Sequence, residues 1–327
     1  MNNRVYENAI KWIHNNTVND EGIIVTTGKR VIYPEVTGYY IPSLLEVNEV
    51  ELAKQFAKKM CEIQKKDGSW YDSDDENPFI FDSCQILKGL VAIRDIMPEV
   101  DENIVKGIDW VFSNLKQDGH LVQPNTDVWG GDDTHCNELI HIYCMSPIIE
   151  AGKVLNRPDY IEKANRVLEY YIEHYRDRIV NYTLFSHFYA YVIEGLIDCG
   201  RVDIAREAMA NFEKYRNDNG KICAYNDVDW VCSTATFQFA IIYYKLGDKR
   251  KGDIAYNYMC SLQNPSGGWY GCYTKSKINE LLWRIKRILG LTNRRLYIRK
   301  YEISWANKFY LDATHLNRIA GVKKTDE

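Results

Sequence analysis

A glycine turn that recurs along the whole chain is the feature that most constrains the fold. It ends an amphipathic segment near Gly22, Gly68, Gly119, Gly220 and Gly268, at intervals of about 50 residues. One occurrence is missing near position 170, where the chain reads EYYIEHYRDRIVNY without the glycine. A repeat of this length is typical of arrays in which each unit is one supersecondary element. The chain therefore predicts six units, each a pair of helices.

The two helices of each unit differ in hydrophobic pattern. The segment before the glycine is apolar on one face only, as at Leu52, Phe56, Met60 and Ile63, which predicts a half-exposed outer helix. The segment after the following link is apolar nearly all round, as in CQILKGLVAI and TATFQFAIIYY, which predicts a buried inner helix. No stretch sustains the period-two alternation of a strand. We therefore expect an all-α fold, an (α/α)6 toroid of twelve helices in an inner and an outer ring.

The predicted domain organisation is simple. With 46% apolar residues in 327, the chain has enough material for one large core. We expect a single toroid domain over residues 1–320, a basic amphipathic insertion at 275–300 and a disordered tail at 321–327.

The links between helices differ in length according to their direction. Inner-to-outer links are short, whereas outer-to-inner links are long and rich in polar and aromatic residues, over 67–82, 118–135, 218–230 and 267–302. Long loops on one face of a rigid scaffold are the usual place for a binding site. We therefore expect the site on the face that carries the long links.

Two of the glycine turns spell QxxxGxW, at Gln64–Trp70 and Gln263–Trp269. This pattern resembles the repeat of squalene cyclases and protein prenyltransferases, which are also α/α toroids. Asp72, Asp74 and Asp75 follow the first turn and form a DxDD motif, which in class II terpene cyclases supplies a catalytic acid. The motif does not occupy that place in those cyclases, so a solvated acidic loop is the main alternative.

A second resemblance covers nearly the whole chain and rests on five segments. These are YPEVTGYYIPSLL (33–45), FIFDSCQILKGLVAI (79–93), SHFYAYVIEGLIDCGR (186–201), STATFQFAIIYYKLGD (233–248) and EISWANKFYLDA (302–313). They resemble bacterial surface-polysaccharide biosynthesis proteins of the VpsJ type, which are similar to the C-terminal helical domain of glucuronyl epimerases. The resemblance implies a toroid that acts on carbohydrate.

The segment DVWGGDDTHCNELIH holds the first candidate acid–base groups. Asp132, Asp133 and His135 precede the third inner helix and are suited to proton transfer on a sugar. Helix capping by Asp133 or Thr134 explains part of the pattern without catalysis. A metal site that also uses Cys136 and His141 lacks the spacing of a zinc site, so we expect no metal and no cofactor.

Further candidates lie in three other units. Asp82 opens an inner helix, and His187 shares one face of the fourth inner helix with Tyr191 and Glu194. This face either lines the central cavity or packs in the core, and the sequence leaves both open. Asp229 stands in the next long link, and we predict catalytic support from Asp82, His187 and Asp229.

Aromatic and polar side chains near the long links are candidates for substrate binding. Aromatic faces flanked by carboxylates suit pyranose rings, whose C–H faces stack while their hydroxyls donate hydrogen bonds to the carboxylates. The predicted substrate-binding residues are Glu35, Tyr39, Trp70, Trp129, Tyr191, Trp230, Trp269, Tyr270 and Trp305.

The insertion at 275–300 has nine basic residues and one acidic residue, a net charge of +8 that leaves −12 for the rest of the chain. Apolar residues recur at helical spacing beside Arg284, Lys286 and Arg287, as in helices that lie on anionic membranes. A solvated lid helix that packs on the ring is the alternative.

Charge and composition limit which partners and which cellular compartment the sequence predicts. A net charge of −4 and the absence of a recognition motif argue against nucleic acid. Nine cysteines without a CxxC pair predict reduced thiols, and no apolar run is long enough for a membrane span. We expect a cytoplasmic protein that contacts the inner face of the membrane through 275–300.

Three functions are compatible with these features. The first is an enzyme of surface-polysaccharide or glycolipid synthesis, an epimerase, lyase or hydrolase that acts on a glycan or lipid-linked sugar. The second is a non-catalytic assembly protein that binds a glycan or lipid carrier. The third is a terpenoid cyclase or a prenyltransferase-like enzyme, which requires a dry aromatic cavity rather than a polar one.

Overall fold

The computed structural model describes residues 3–124, 138–292 and 294–322. Over these ranges the chain forms thirteen α-helices. They are α1 (Asn3–Asn16), α2 (Pro34–Glu46), α3 (Val50–Ile63), α4 (Ile80–Ile93), α5 (Asp101–Ser113), α6 (His141–Val154), α7 (Pro158–Val180), α8 (Ser186–Asp198), α9 (Val202–Phe212), α10 (Ser233–Lys245), α11 (Lys249–Cys260), α12 (Lys277–Ile288) and α13 (Ser304–Val322).

Twelve of these helices form six hairpins that close into a ring. The inner helices are α2, α4, α6, α8, α10 and α13, and each contacts the next, with α13 returning to α2. The outer helices are α1, α3, α5, α7, α9 and α11. The predicted (α/α)6 toroid is therefore confirmed, and α12 is an additional helix within the insertion.

Strands play a minor part in the described ranges. Two antiparallel pairs occur there, β1 (Thr17–Val18) with β2 (Gly22–Ile23) and β3 (Val231–Cys232) with β4 (Cys272–Tyr273). Both pairs belong to links between outer and inner helices. None of the helices in these ranges is both long enough and apolar enough to cross a bilayer.

The recurring glycines lie where each turn meets the next outer helix. Gly68, Gly119, Gly220 and Gly267 all have φ between 86° and 100°. A Cβ on any of them would lie within 2.7 Å of a backbone oxygen of that helix. For Gly267 this oxygen belongs to Asn8 in α1, so the same contact closes the ring between the sixth and the first hairpin. Glycine is required here both by backbone conformation and by close approach.

The missing glycine near position 170 has a structural counterpart. Helix α7 is the longest of the described helices, with 23 residues, and Tyr175 interrupts it with non-helical backbone angles. The helix thus continues through the position where the other units turn. Only residues 181–185 then separate α7 from α8.

The two QxxxGxW turns have the same internal geometry. The side-chain nitrogens of Gln64 and Gln263 donate to the carbonyl oxygens of Gly68 (2.9 Å) and Gly267 (3.0 Å). The indole Nε1 atoms of Trp70 and Trp269 donate to the carbonyl oxygens at the ends of the preceding outer helices, at 2.7 and 2.8 Å. The motif therefore fixes a helix end and its turn.

Candidate functional site

A cavity of about 170 Å³ lies at the N-terminal ends of the inner helices, on the face that carries the long links. Five residues from the predicted site line it, together with five that were not predicted. The lining residues are Tyr33, Glu35, Phe81, Asp82, Ile140, His187, Phe188, Tyr191, Tyr297 and Trp305.

The position of these residues in their helices explains why they meet. Glu35, Asp82, His187 and Trp305 each lie in the first turn of a different inner helix. Because the inner helices of the ring run in the same direction, their first turns all face the same opening. Four residues that are far apart in the sequence therefore surround one cavity.

Glu35 is a buried carboxyl with one clear partner. Its side chain is 2% exposed, and Nε1 of Trp305 donates to its Oε2 at 3.1 Å. Burial and the neighbouring carboxyl of Asp82 raise the pKa of Glu35 well above its ordinary value. Glu35 therefore keeps its proton to a higher pH than an exposed glutamate.

Asp82 is the second carboxyl of the cavity. The hydroxyl of Tyr33 donates to its Oδ2 at 3.0 Å, which favours the ionised form. Burial has the larger, opposite effect and raises the pKa of Asp82 to about 7. The cavity thus contains two carboxyls whose pKa values are both raised, which is typical of acid–base sites.

His187 lines the cavity as a neutral imidazole. Its Nδ1 lies 2.7 Å from Oε1 of the buried Gln238 on α10, and burial lowers its pKa to about 4. Because the amide oxygen only accepts hydrogen bonds, the imidazole proton is on Nδ1 and Nε2 is an acceptor. His187 is therefore suited to accept a hydroxyl hydrogen bond rather than to bear a charge.

Aromatic rings form much of the remaining cavity wall. The ring of Tyr191 lies 4.7 Å from that of His187 and 4.9 Å from that of Phe81, measured between centroids. Trp305 is only partly buried, and Tyr297 contributes a ring from the insertion. The cavity therefore combines flat apolar surfaces with two carboxyls and a histidine.

Four of the predicted aromatic residues lie away from this cavity. Trp70 and Trp269 are fully buried in the QxxxGxW turns, and Trp230 is buried beside Phe185. Tyr39 is also buried, and its hydroxyl lies 2.5 Å from that of Tyr143. These side chains pack in the core of the ring: the links fold the three tryptophan rings inward, and Tyr39 lies on a buried face of α2.

Tyr270 and Asp229 also lie outside the lining of the cavity. Tyr270 is partly exposed beside Tyr273. Asp229 contacts the insertion, where its Oδ2 lies 3.7 Å from Nζ of Lys275 and accepts from the Asn279 amide at 3.4 Å. Asp229 thus holds the insertion to the preceding link.

Asp132, Asp133, His135 and Trp129 lie outside the described residues, as does the predicted tail beyond position 322. Within the described ranges, no group of three or more histidine, cysteine, aspartate or glutamate side chains is arranged to hold a metal ion.

The DxDD motif lies on the exterior of the ring. Asp74 and Asp75 are exposed and pair with Lys29 (2.9 Å) and Lys65 (2.5 Å). Asp72 accepts hydrogen bonds from within its own loop. The motif therefore does not supply an acid to the cavity, and the solvated-loop interpretation describes its environment.

Sequence analysis missed Tyr33 and Tyr297. Tyr33 directly precedes α2 and carries the hydrogen bond to Asp82. Its position at the start of the first inner helix could have identified it as a site residue. No comparable signal was available for Tyr297, which reaches the cavity from the irregular end of the insertion.

We expect Asp82→Asn to stabilise the folded protein at pH 8. The folded state keeps the Asp82 proton up to about pH 7, whereas the ordinary pKa is 3.8. This contribution to stability is complete below pH 3.8 and is lost as the pH rises through 7. The asparagine does not ionise, so the variant should gain about 4 kcal/mol over the wild type at pH 8 and little at pH 4. Urea unfolding at both pH values measures the difference, and an equal effect at both would contradict it.

Sequence comparison finds no relatives for this chain, because no family model matches it and no curated protein is similar to it. The resemblance to VpsJ-type proteins and glucuronyl epimerases therefore stays a prediction.

Solved structures match the fold over nearly its full length. An unsaturated glucuronyl hydrolase specific for heparin has a TM-score of 0.69 at 14% identity, over 98% of this chain and 97% of that chain. A polysaccharide lyase has a TM-score of 0.66 at 11% identity, over 98% of both chains. A type II terpene cyclase from Scytonema, in complex with geranylgeranyl dihydroxybenzoate, has a TM-score of 0.61 at 10% identity, over 97% of both chains. The chain is similar to these α/α toroids in fold.

Proposed function

We propose that this protein is a carbohydrate-active enzyme that cleaves a glycan by acid–base catalysis, as a hydrolase or a lyase. The observation that carries the proposal is the pair of carboxyls, Glu35 and Asp82, with raised pKa values in one aromatic cavity. The similarity in fold to a glucuronyl hydrolase and a polysaccharide lyase supports the same class.

The two carboxyls take complementary roles in this proposal. Glu35 is protonated and donates its proton to the oxygen of the leaving sugar. Asp82, ionised above its pKa of about 7 and held by Tyr33, accepts a proton from the attacking water or from the sugar carbon. His187 accepts a hydrogen bond from a sugar hydroxyl, and Tyr191 and Trp305 stack on the ring.

The charges of the cavity point to a substrate class. Among its described lining residues there are two carboxyls and no lysine or arginine. A uronate carboxylate placed there has no cation to pair with and is repelled by Asp82 once that group ionises. We therefore propose that the reacting sugar is neutral and that the reaction on it is hydrolysis, because elimination needs a carboxyl group beside the carbon that loses its proton.

Other predicted residues keep their place in this proposal. Asp132, Asp133 and His135 precede Ile140, which lines the cavity, and we propose them as further proton-transfer groups. We also propose that the glycan belongs to surface-polysaccharide or glycolipid synthesis and is carried on a lipid at the cytoplasmic face of the membrane.

The alternative functions receive less support from the described residues. A glycan-binding assembly protein needs the stacking surfaces but not two carboxyls with raised pKa values. A terpenoid cyclase is disfavoured because the cavity contains two carboxyls and a histidine and because the DxDD motif lies on the exterior.

The test is a panel of neutral and uronate-containing oligosaccharides incubated with the purified protein. Hydrolysis is detected as new reducing ends, and elimination as the ultraviolet absorbance of a new carbon–carbon double bond. We expect turnover of neutral glycans. If calorimetry shows glycan binding but no turnover is detected, the protein is a glycan-binding assembly protein and not an enzyme. Turnover of uronates alone would contradict the proposal of a neutral substrate.

We expect the turnover of a cleaved glycan to depend on pH with an acidic limb near 7. Asp82 must be ionised to act as a base, and its pKa is about 7. Glu35 must be protonated, so its raised pKa sets the alkaline limb. A profile of kcat/KM against pH tests this, and a constant rate between pH 5 and 7 would exclude Asp82 as the base.

A further inference from the structure

Helix α12 exposes an apolar surface that the ring does not cover. The helix has no buried residue, and seven aliphatic side chains in and just after it are 43% to 84% exposed. We name these seven residues the apolar stripe: Ile278, Leu281, Leu282, Ile285, Ile288, Leu289 and Leu291. The other large exposed hydrophobic side chains of the described ranges are scattered over the chain. The apolar stripe therefore does not pack on the ring.

The opposite side of α12 attaches it to the protein. Trp283 is partly buried and packs against the core. The Asn279 amide donates to Asp229 at 3.4 Å, and Glu280 pairs with Arg299. With 100° between successive helical residues, these three side chains lie opposite the apolar stripe. The attachment therefore directs the stripe away from the ring.

Basic side chains flank the stripe on both edges. At the same angular spacing, Lys277 and Arg284 lie on one edge of the helix and Lys286 lies on the other. Within the described ranges, neither lysine has a carboxylate oxygen within 4.0 Å of its Nζ, and Arg284 pairs with Glu280 inside the helix. The segment 275–300 carries +8 against −12 for the rest of the chain, and Lys277, Arg284 and Lys286 are the part of this charge that flanks the stripe.

We propose that the apolar stripe docks on the surface of an anionic lipid bilayer. Aliphatic side chains between two rows of cations match a bilayer surface, where acyl chains lie beneath phosphate groups on either side of the helix. A second copy of the chain is a poor occupant, because pairing two stripes brings their basic edges together. The charge pattern thus favours lipid over self-association.

Docking through this face places the cavity beside the membrane. Tyr297 lines the cavity and lies in the segment that follows α12. A lipid-linked glycan bound at the surface is then within reach of the cavity mouth. This consequence rests on the proposed function, whereas the docking does not.

The experiment is co-sedimentation of the full-length protein with vesicles of phosphatidylcholine alone or mixed with phosphatidylglycerol. At about 0.1 M salt we expect binding to the anionic vesicles only, and at about 1 M salt we expect weaker but measurable binding. The apolar contact accounts for the binding that remains at high salt, because salt does not screen it.

Two triple variants separate the contributions of charge and apolar contact. Lys277→Glu, Arg284→Glu and Lys286→Glu together should reduce binding at low salt by more than tenfold. Leu281→Ser, Ile285→Ser and Leu289→Ser together should remove the binding that persists at high salt. Their melting temperatures should match that of the wild type, since these side chains are largely exposed.

A matched control places three glutamates elsewhere on the surface, at the exposed residues Lys58, Lys66 and Arg250. This variant has the same net charge as the first, and we expect it to bind like the wild type. Equal loss in the control, or no sedimentation of the wild type, would overturn the docking. If the wild type forms a concentration-dependent dimer that the serine variant abolishes, the apolar stripe docks on a second copy of the chain and not on lipid. Failure of the glycan assay with soluble oligosaccharides leaves all these results unchanged.

Discussion

Replacing Glu35 by glutamine should lower kcat on a cleaved glycan by about 10³-fold. The amide keeps the shape of the side chain and still accepts the hydrogen bond from Trp305, but it has no proton to donate to a leaving oxygen. KM should change little because the stacking surfaces remain. Steady-state kinetics at pH 7 measure both constants.

Glu46→Gln is the matched control for this prediction. Glu46 lies on the same helix, and burial raises its pKa to about 8, but it stands at the opposite end of α2 from the cavity. This variant should keep wild-type turnover. If Glu35→Gln also retains activity within about threefold, Glu35 is not the acid and the proposed role is wrong.

Truncating Trp70 or Trp269 to alanine should lower the free energy of unfolding by about 3–5 kcal/mol. Both rings are fully buried, and each indole nitrogen donates to a carbonyl oxygen at the end of an outer helix. The substitution leaves a cavity and removes the indole donor of that carbonyl. Because the two turns share one geometry, the two losses should be similar in urea unfolding.

Trp305→Ala provides the contrast. This side chain is partly exposed in the cavity, so its removal should cost less stability than either buried tryptophan and should weaken glycan binding instead. A Trp70→Ala variant that keeps its stability but binds glycan more weakly would instead show that Trp70 contacts the substrate.

The periodicity of the sequence was sufficient to predict the architecture. Outer and inner helices differ in how much of their circumference is apolar, and this difference is visible in the sequence of each segment alone. The glycine turns also carry a local signal, because the positive φ at Gly68 and Gly267 disfavours any residue with a side chain.

Five of the nine predicted substrate-binding residues lie away from the cavity. An aromatic residue in or beside a link has the same local signal whether it turns inward, as Trp269 does, or faces an opening, as Trp305 does. Glu35, Asp82 and His187 were better candidates, since each stands at the start of an inner helix and the ring brings those starts together.

The sequence by itself thus determined the six hairpins, their inner and outer layers and the face on which a site can form, because helical period and turn chemistry act between neighbours in the chain. The tertiary structure alone decided which side chains surround the cavity, how burial and mutual proximity raise the pKa values of Glu35 and Asp82, and that the stripe on α12 faces away from the ring. Those properties depend on desolvation and on contacts between residues far apart in the chain, for which a linear pattern carries no signal.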